Sequence, residues 1–368
     1  MTNGEKIRVL VADDSAFMRK VLVSILDSDG TFEVVGESRD GRETVEKAAK
    51  LRPHVITMDI NMPHMDGLRA TEIIMSTEPR PILIVSAESK DGADATLRAL
   101  ELGAIDFVAK PSGGIDLDMS SVREELVRKL RIASKVRVIR NLLRSTPAKA
   151  ARVDSTRPGT ASVVTGARLP VAVLAASTGG PATLMKLMPA FGADFPAALL
   201  IVQHMPGAFT AQFAEQLGAV SRLPVKHAAQ GDVLRAGQVY VCPGDCHLRV
   251  ASGRIVLDDG PRIAGYRPSI DVTLESVAAL AGANAVAAIL TGMGNDGARG
   301  VMAIQENGGL VIAQDEATSV IFGMPAEAIR SGAVAKVLPL EQIAAAIAQR
   351  VGPQLGLSRV ATLSGPTK

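Results

Sequence analysis

The sequence predicts an α/β protein built from two doubly wound domains, each a parallel sheet with helices on both faces. Three observations support this fold class. The 368 residues exceed the roughly 100–200 of one typical domain. Short apolar runs alternate with amphipathic helical stretches in two separate regions, and a polar segment without periodicity divides them. Strands that alternate with helices imply parallel pairing, because each helix returns the chain to the same end of the sheet.

The first region, residues 6–125, predicts a domain with a five-stranded sheet. The strand candidates are "IRVLVAD", "FEVVGES", "HVITMD", "PILIVSA" and "DFVAKP". Amphipathic stretches that begin near Ser15, Asp40, Gly67 and Asp91 predict the helices between them.

Residues 126–168 are assigned to a basic helix and a flexible linker. The pattern over 118–145 predicts one helix, with eight Lys or Arg against two Glu between Arg123 and Arg144. We interpret this stretch as a solvated linker helix or a surface for an acidic partner. The segment "STPAKAARVDSTRPGTASVVTGARLP" then predicts a linker, since it is rich in Ala, Ser, Thr, Pro and Gly.

The second region, residues 169–352, predicts a mostly parallel α/β domain. Its strand candidates are "VAVLAAS", "AALLIVQHM", "NAVAAILT" and "GLVIAQD". The segment "QVYVCPGDCHLRVASGRIVLDDG" predicts antiparallel hairpins, because its short apolar runs are joined by Gly-Asp and Ser-Gly turns. The stretch "LEQIAAAIAQRVG" predicts a terminal helix.

Composition excludes several classes of function. A net charge of +2 argues neither for nor against nucleic acid, but 3% aromatic residues and no Trp argue against single-stranded nucleic acid, because stacking platforms are missing. No apolar run approaches the roughly 20 residues of a membrane span, and "MTNGEKIRVLVADD" lacks a signal-peptide core. We therefore expect a cytoplasmic protein without membrane insertion. Cys242 and Cys246 are too few for a disulfide framework, and with His247 they lack the second ligand pair of a zinc site.

Carboxylates follow the predicted strands of the first region. Asp13 and Asp14 follow the first strand and Asp59 follows the third, and ligands bind at this edge of an open α/β sheet. Three carboxylates there suit Mg²⁺. Ser86 and Lys110 follow the fourth and fifth strands, so the set suits phosphoryl transfer to a carboxylate. Any one of these acids, taken alone, would be interpreted as a helix N-cap.

These residues resemble a response-regulator receiver domain over residues 7 to about 125, which implies a flavodoxin-like fold. The resemblance implies that Asp59 accepts phosphate from a histidine kinase, with Asp13 and Asp14 helping Asp59 to hold Mg²⁺. It also implies a set of switch and phosphate-contact residues, namely Ser86, Phe107 and Lys110.

The stretch "VAVLAASTGGPATLMKLMP" has the features of a nucleophile turn. Ser177 ends an apolar strand, and Gly179 and Gly180 let a substrate approach backbone N–H groups. Pro181 suits the first turn of a helix, whose N-terminus favours developing negative charge. On this segment alone, a phosphate-binding or merely tight glycine turn fits as well.

A nucleophilic serine needs a base and an orienting acid. His204 ends "AALLIVQH", the next strand after Ser177, and Asp296 lies in the loop of "AAILTGMGNDG". Asp271 in "RPSIDVTLES" competes for the acid's role, although it reads as an early helix residue. The other histidines suit surface or structural roles, namely His54, His64, His227 and His247.

Six motifs make the second region similar to the catalytic domain of the chemotaxis methylesterase family, CheB, from about 171 to 350. They are "AASTGGP", "LLIVQHMP", "VYVCPGDCHL", "RPSIDV", "LTGMGNDGARG" and "AQDEATSVIFGMPAEAI". The resemblance implies a triad of Ser177, His204 and Asp296. It also implies an oxyanion site at Met293, with Thr178 beside the nucleophile.

The two resemblances together imply a phosphorylation-regulated serine esterase in chemotaxis. Its substrate would be a glutamate γ-methyl ester on methyl-accepting chemotaxis receptors, with glutamine deamidation as a second activity. Its phosphodonor would be a chemotaxis histidine kinase, and the esterase reaction would need no cofactor. A transcriptional regulator would instead end in a small helix-turn-helix domain. The remaining alternative is an esterase-like domain that acts on another acyl substrate or serves as a binding module.

Overall fold

The computed structural model describes residues 5–87, 89–110, 119–136 and 169–352. The first sheet has five parallel strands in the order β2-β1-β3-β4-β5, which confirms the predicted fold class. Its strands are β1 (Ile7–Ala12), β2 (Phe32–Ser38), β3 (Val55–Met58), β4 (Ile82–Ser86) and β5 (Asp106–Ala109). The helices of this unit are α1 (Ala16–Asp29), α2 (Gly41–Leu51), α3 (Gly67–Thr77), α4 (Lys90–Glu101) and α5 (Met119–Ala133).

Polar caps begin the first four of these helices. The capping side chains each accept a backbone N–H from the first turn, and they are Ser15, Asp40, Asp66 and Ser89. Gly67 begins α3 against the backbone of Asp59, where a Cβ atom would overlap the Asp59 carbonyl oxygen. The caps and this close approach fix the strand-end loops that carry the acids.

Helix α5 corrects the interpretation of the basic stretch. It ends at Ala133, and Ser134 and Lys135 form a turn, so the prediction of one helix over 118–145 is wrong. Leu126 and Leu130 are buried against the first sheet, and Lys129 is only 7% exposed. One face of the helix is therefore buried, because its apolar side chains pack on the sheet and the Lys129 ammonium contacts Asp106 and Glu125.

The predicted domain division stays a prediction. Helix α5 runs past residue 125 and packs on β4 and β5 of the first sheet. The predicted linker and the end of the predicted basic helix, residues 137–168, lie outside the described residues.

The second sheet has seven strands in the order β14-β13-β12-β6-β7-β9-β8, and every neighbouring pair is parallel. Its strands are β6 (Val171–Ala176), β7 (Ala198–Gln203), β8 (Val225–His227), β9 (Val239–Val241), β12 (Ala285–Ile289), β13 (Leu310–Gln314) and β14 (Lys336–Leu338). A separate antiparallel hairpin is formed by β10 (His247–Ala251) and β11 (Arg254–Asp258). The helices are α6 (Gly180–Leu187), α7 (Gly207–Val220), α8 (Ile270–Ala281), α9 (Ala298–Glu306), α10 (Met324–Arg330) and α11 (Leu340–Val351).

One strand of this unit pairs differently from the prediction. Strand β9 lies in the segment expected to form antiparallel hairpins, yet it pairs parallel with β7 and β8. All three residues of β9 are buried, which suits a strand that lies inside the sheet between β7 and β8. Strands β8 and β14 were not predicted, because three residues each carry too little pattern.

The two units touch along α4 and α7. The Phe107 and Phe209 rings lie 4.5 Å apart between centroids, and Phe107 is 2% exposed. The side chains of Gln212 and Gln216 donate to Asp94 Oδ1 at 2.7 and 3.2 Å. Among the described helices, none combines the length and the apolar character that crossing a bilayer requires.

Candidate functional site

The acids predicted at the first sheet edge do lie together. Asp13, Asp14 and Asp59 present carboxylate oxygens that all lie within 4.8 Å of one another. Asp13 and Asp59 are buried, whereas Asp14 is exposed. Adjacent positions of β1 and β3 in the sheet explain the meeting of these residues.

Lys110 completes this cluster from the end of β5. Its Nζ lies 2.8 Å from Asp13 Oδ2 and 2.9 Å from Asp59 Oδ2. Burial raises the pKa of Asp59 although Lys110 acts in the opposite direction. Burial alone would lower the pKa of Lys110, but Asp13 and Asp59 outweigh it and raise that pKa. Three carboxylates against one ammonium leave net negative charge, which fits a hard divalent cation with oxygen ligands.

The two predicted switch residues differ in their surroundings. Ser86 ends β4 beside Lys110, whose backbone N–H donates to the Ser86 carbonyl, and the Ser86 hydroxyl donates to Gly92 O at 3.3 Å. Phe107 packs on Phe209 of the second unit. Phe107 therefore lies at the contact between the units.

Ser177 and His204 follow neighbouring strands of the second sheet. Ala176 of β6 pairs with Gln203 of β7, so the next residue on each strand lies at the same sheet edge. Parallel strands lie about 5 Å apart. The His204 N–H donates to Ala176 O at 3.0 Å, which keeps the two chains paired to the edge. The backbone therefore brings the predicted nucleophile and base within side-chain reach.

His204 is bound at one ring nitrogen and open at the other. Its Nε2 lies 2.8 Å from Asp296 Oδ2. Its Nδ1 is buried and has no hydrogen-bond partner within the described part of the chain. Since Nε2–H donates to the carboxylate, Nδ1 carries the lone pair that can accept a proton.

Asp296 is held by the N-terminus of α8. It accepts hydrogen bonds from Ser269 Oγ at 2.9 Å and from the N–H groups of Ile270 and Asp271 at 2.7 and 3.0 Å. Burial alone would raise the pKa of Asp296, but His204 and these N–H groups outweigh it and lower that pKa. Asp296 is therefore an ionised carboxylate aimed at the imidazole.

Asp271, the competing acid, caps a different helix. Its Oδ1 accepts the N–H groups of Gly297 and Gly300 at 3.0 and 2.7 Å, at the start of α9. Asp296 thus caps the start of α8, where Asp271 lies, and Asp271 caps the start of α9, which follows Asp296. Of these two acids, Asp296 is the one that contacts His204.

The two predicted oxyanion positions flank Ser177. Thr178 follows Ser177 in the chain, and Met293 follows Gly292, which packs on Ser177. Gly292 lets the second loop approach, because a Cβ atom there would lie 2.8 Å from Ser177 Cβ. Backbone N–H groups beside a serine can stabilise an oxyanion.

The sequence reasoning missed three supporting residues. Buried Gln203 donates from Nε2 to the carbonyl oxygens of Ser177 and His204 at 2.9 and 3.1 Å. The Thr291 hydroxyl donates to Thr178 O at 3.0 Å. The Tyr266 ring stacks on His204 at 4.4 Å with a 14° interplanar angle. The sequence contains one indication of the role of Gln203, because it is a polar residue at the end of an otherwise apolar strand.

The first unit reaches the residue beside Ser177. The Thr178 hydroxyl donates to Asp106 Oδ2 at 2.6 Å, and Lys129 Nζ donates to Asp106 Oδ1 at 3.1 Å. Burial alone would lower the pKa of Lys129, but Asp106 and Glu125 outweigh it and raise that pKa. A buried charge pair of the first unit therefore contacts the second site.

Three of the remaining histidines have the structural roles that the sequence suggested. The rings of His54, His227 and His247 bond to backbone or to a hydroxyl. Cys242 is buried, which raises the pKa of its thiol well above the usual value. Across residues 5–87, 89–110, 119–136 and 169–352, the acids near Lys110 are the only group of three metal-binding side chains.

The chain matches known proteins over both regions. The family model described as CheB methylesterase matches residues 172–347, and the response regulator receiver domain model matches residues 9–120. A protein-glutamate methylesterase/protein-glutamine glutaminase of Pyrococcus horikoshii is 47% identical over 352 residues, which cover 95% of this chain and 94% of that protein. A protein of the same name from Symbiobacterium thermophilum is 46% identical over 352 residues, with coverage of 94% and 97%. The solved catalytic domain of Thermotoga maritima CheB methylesterase is 39% identical, with a TM-score of 0.48, and covers 49% of this chain and 98% of that chain.

Proposed function

The chain belongs to the CheB methylesterase family, in which a receiver domain precedes the esterase domain, and from this we propose that Ser177, His204 and Asp296 carry its reaction. The protein is a protein-glutamate methylesterase and protein-glutamine glutaminase that acts in chemotaxis. The observation that carries the assignment is the position of His204. It lies beside the Ser177 strand end, with Nε2 on Asp296 and a buried, unpartnered Nδ1.

Acylation begins when Ser177 Oγ attacks the γ-ester carbonyl of a receptor glutamate. His204 Nδ1 takes the hydroxyl proton, and Asp296 stabilises the imidazolium through Nε2–H. The N–H groups of Thr178 and Met293 hold the oxyanion. The tetrahedral intermediate then collapses, and His204 gives its proton to the departing methoxy group, which leaves as methanol.

Deacylation reverses these roles. Water attacks the acyl-serine carbonyl while His204 Nδ1 takes a water proton, and that proton returns to Ser177 Oγ when the free glutamate leaves. A receptor glutamine presents a primary amide carbonyl to the same groups. Its leaving group is ammonia, so one site performs both hydrolysis and deamidation.

The receiver site prepares Asp59 for phosphorylation by a chemotaxis histidine kinase. Asp13, Asp14 and Asp59 would hold Mg²⁺, which neutralises charge on the phosphoryl group when it is bound. The Lys110 ammonium, 2.9 Å from Asp59 Oδ2, adds a positive charge beside the same carboxylate.

We further propose that the unphosphorylated receiver restrains the esterase. Support comes from the Thr178 hydrogen bond to Asp106 and from the packing of Phe107 on Phe209. A phosphoryl group on Asp59 would bias the element that contains Ser86 and Phe107, and this would weaken the contact between the units. Methylated chemoreceptors then gain access to Ser177.

The test is Ser177→Ala in the full chain, measured by methanol release from methylated receptor with Mg²⁺ and a small phosphodonor. We expect no methanol from the variant and unchanged phosphorylation of Asp59. Ser221→Ala is the matched control, since Ser221 lies after α7 and its hydroxyl accepts the Leu223 N–H in a local turn. Substantial methanol release by pure Ser177→Ala would exclude Ser177 as the nucleophile. If the unaltered chain releases no methanol yet Ser177 reacts with an organophosphate, the substrate is another acyl group.

A further inference from the structure

Tyr266 touches both the base and the predicted oxyanion loop. Its ring lies nearly parallel to the imidazole of His204, with 4.4 Å between centroids. Its hydroxyl lies against Gly294, where a Cβ atom would overlap it. Gly294 adjoins Met293, so one side chain spans from the base to the loop that would hold the oxyanion.

One buried imidazole closes the loop that carries Tyr266. His247 donates from Nε2 to Pro261 O at 3.0 Å and accepts the Ser269 N–H at Nδ1 at 3.1 Å. Pro261 and Ser269 lie on either side of Tyr266, and two backbone hydrogen bonds join Ile263 to Tyr266. The loop therefore holds the ring in a defined place.

The same loop is tied to the acid of the triad. Ser269 Oγ donates to Asp296 Oδ1 at 2.9 Å, while Asp296 Oδ2 bonds to His204. A hydrogen bond at Nε2 alone leaves the imidazole free to swing about that contact, because Nδ1 has no partner in the described chain. A stacked ring removes this freedom and also covers one face of the imidazole from water.

We propose that Tyr266 is a positioning residue, whose ring fixes the imidazole plane of His204 so that Nδ1 faces Ser177. The inference rests on the proposed roles of Ser177 and His204. The stack also favours the imidazolium that forms during the reaction, because the face of an aromatic ring is electron-rich. This stabilisation increases as the imidazole gains charge, so it lowers the barrier to reaction and leaves substrate binding unchanged.

The test measures kcat and KM for methanol release by the full chain, with Mg²⁺ and phosphodonor present. Tyr266→Ala should lower kcat about tenfold with KM unchanged, since a stacked pair contributes on that scale. Tyr266→Leu should show the same loss, because it restores apolar bulk without a flat ring. Tyr266→Phe should stay within about twofold of the original kcat, because the stack remains.

Two controls separate the ring from the loop. Arg262→Ala alters an exposed side chain of the same loop and should leave kcat unchanged. His247→Leu removes both anchors of the loop and should lower kcat as Tyr266→Ala does. His247→Gln keeps one donor and one acceptor and should restore most of the activity.

Three results would overturn the proposal: an unchanged kcat in Tyr266→Ala, a Tyr266→Phe variant as slow as Tyr266→Ala, or a loss confined to KM. The second would make the hydroxyl a chemical participant, and the third would make Tyr266 a substrate contact. Ser177→Ala measured in parallel keeps the two hypotheses apart. Activity in that variant contradicts the triad, whereas an inactive Ser177→Ala beside a fully active Tyr266→Ala contradicts only the role of Tyr266.

Discussion

In the proposed triad, the two ring nitrogens of His204 have the opposite roles from those in the serine-protease triad. There the acid binds Nδ1 and Nε2 faces the serine. Here Asp296 contacts Nε2, and the proposal assigns the buried Nδ1 to Ser177. The backbone explains the reversal, because Ser177 and His204 follow adjacent strands and Nδ1 is the ring nitrogen nearer the backbone.

Asp296→Asn and Asp271→Asn form a matched pair. Asp296→Asn should cost about 1 kcal/mol of unfolding free energy through the weakened cap of α8, and Asp271→Asn should cost less, because burial raises the pKa of Asp271 and disfavours its charge in the folded state. Only Asp296→Asn also removes the carboxylate from His204, and kcat should then fall on the order of 10³- to 10⁴-fold. Methanol release and urea unfolding of both variants measure the two effects. Equal loss of activity in the two variants would show that helix capping, and not the contact with His204, limits the rate.

Asp59→Asn should stabilise the unphosphorylated chain at pH 7 in the absence of Mg²⁺, by on the order of 1 kcal/mol. Burial raises the pKa of Asp59 in the folded state, so the folded chain binds this proton more tightly than the unfolded chain does. Stability then falls as pH rises from the unfolded pKa of about 4 through the raised folded pKa. The variant should lack that fall.

Thermal unfolding at several pH values, with and without Mg²⁺, measures this difference. Mg²⁺ should raise the unfolding temperature of the original chain more than that of Asp59→Asn, because the variant loses one charged ligand. A variant that is less stable than the original chain at pH 7 without Mg²⁺ would contradict the assignment.

At the scale of elements, the β6–α6 turn packs against the end of β7 with no spare room. Gly180 begins α6 directly over Gln203, and a Cβ atom on Gly180 would overlap Gln203 Oε1. Gln203 in turn donates to the carbonyls of Ser177 and His204. Helix α6, strand β7 and the two site residues are thus coupled through one amide side chain.

Gly180→Ala should lower both activity and stability. The new methyl group displaces Gln203, and overpacking of this kind costs about 1–3 kcal/mol. We expect kcat to fall about tenfold, since a shift of about 1 Å in a site residue costs that much or more. Gly218→Ala in α7 is the control, because its nearest neighbour would be Val225 at 3.8 Å. That variant should gain about 0.5–1 kcal/mol and keep its kcat. An unchanged kcat in Gly180→Ala would show that Gln203 does not position the site.

At the scale of the whole molecule, the contact between the units joins two kinds of interaction. Phe107 packs on Phe209, while Asp94 receives the amides of Gln212 and Gln216. A second contact lies near Ser177, where Asp106 accepts the Thr178 hydroxyl and forms a buried ion pair with Lys129. Polar bonds at the rim of such a contact can be removed without disturbing either core.

Asp94→Ala should therefore raise the basal esterase rate and reduce activation by phosphodonor. The variant loses two hydrogen bonds between the units. Coupling between sites is typically about 1–3 kcal/mol, so complete loss of the restraint would raise the basal rate by roughly 5- to 150-fold. A several-fold rise is expected from this one contact. Asp91→Ala, an exposed residue of the same helix, is the control. A basal rate that stays at the original value, with phosphodonor activation intact, would show that this contact does not restrain the enzyme.

The sequence by itself was sufficient for the fold class, the family and the candidate residues. Apolar strands with a polar residue at the carboxyl end point to Asp59 and Ser177, because parallel strands deliver their ends to one edge. Local caps such as Ser15 and Asp40 also determine where helices begin. These features depend on neighbours along the chain, which a sequence pattern records.

Only the tertiary structure decided which side chains meet across distant segments. Tyr266 stacks on His204 from 62 positions away, Asp106 bonds to Thr178 across the two units, and Lys129 is buried instead of solvated. Strand β9 likewise joined the main sheet, although its turn residues favoured a hairpin. Such contacts depend on packing between elements far apart in the chain, and a periodic pattern carries no information about which surfaces will face each other.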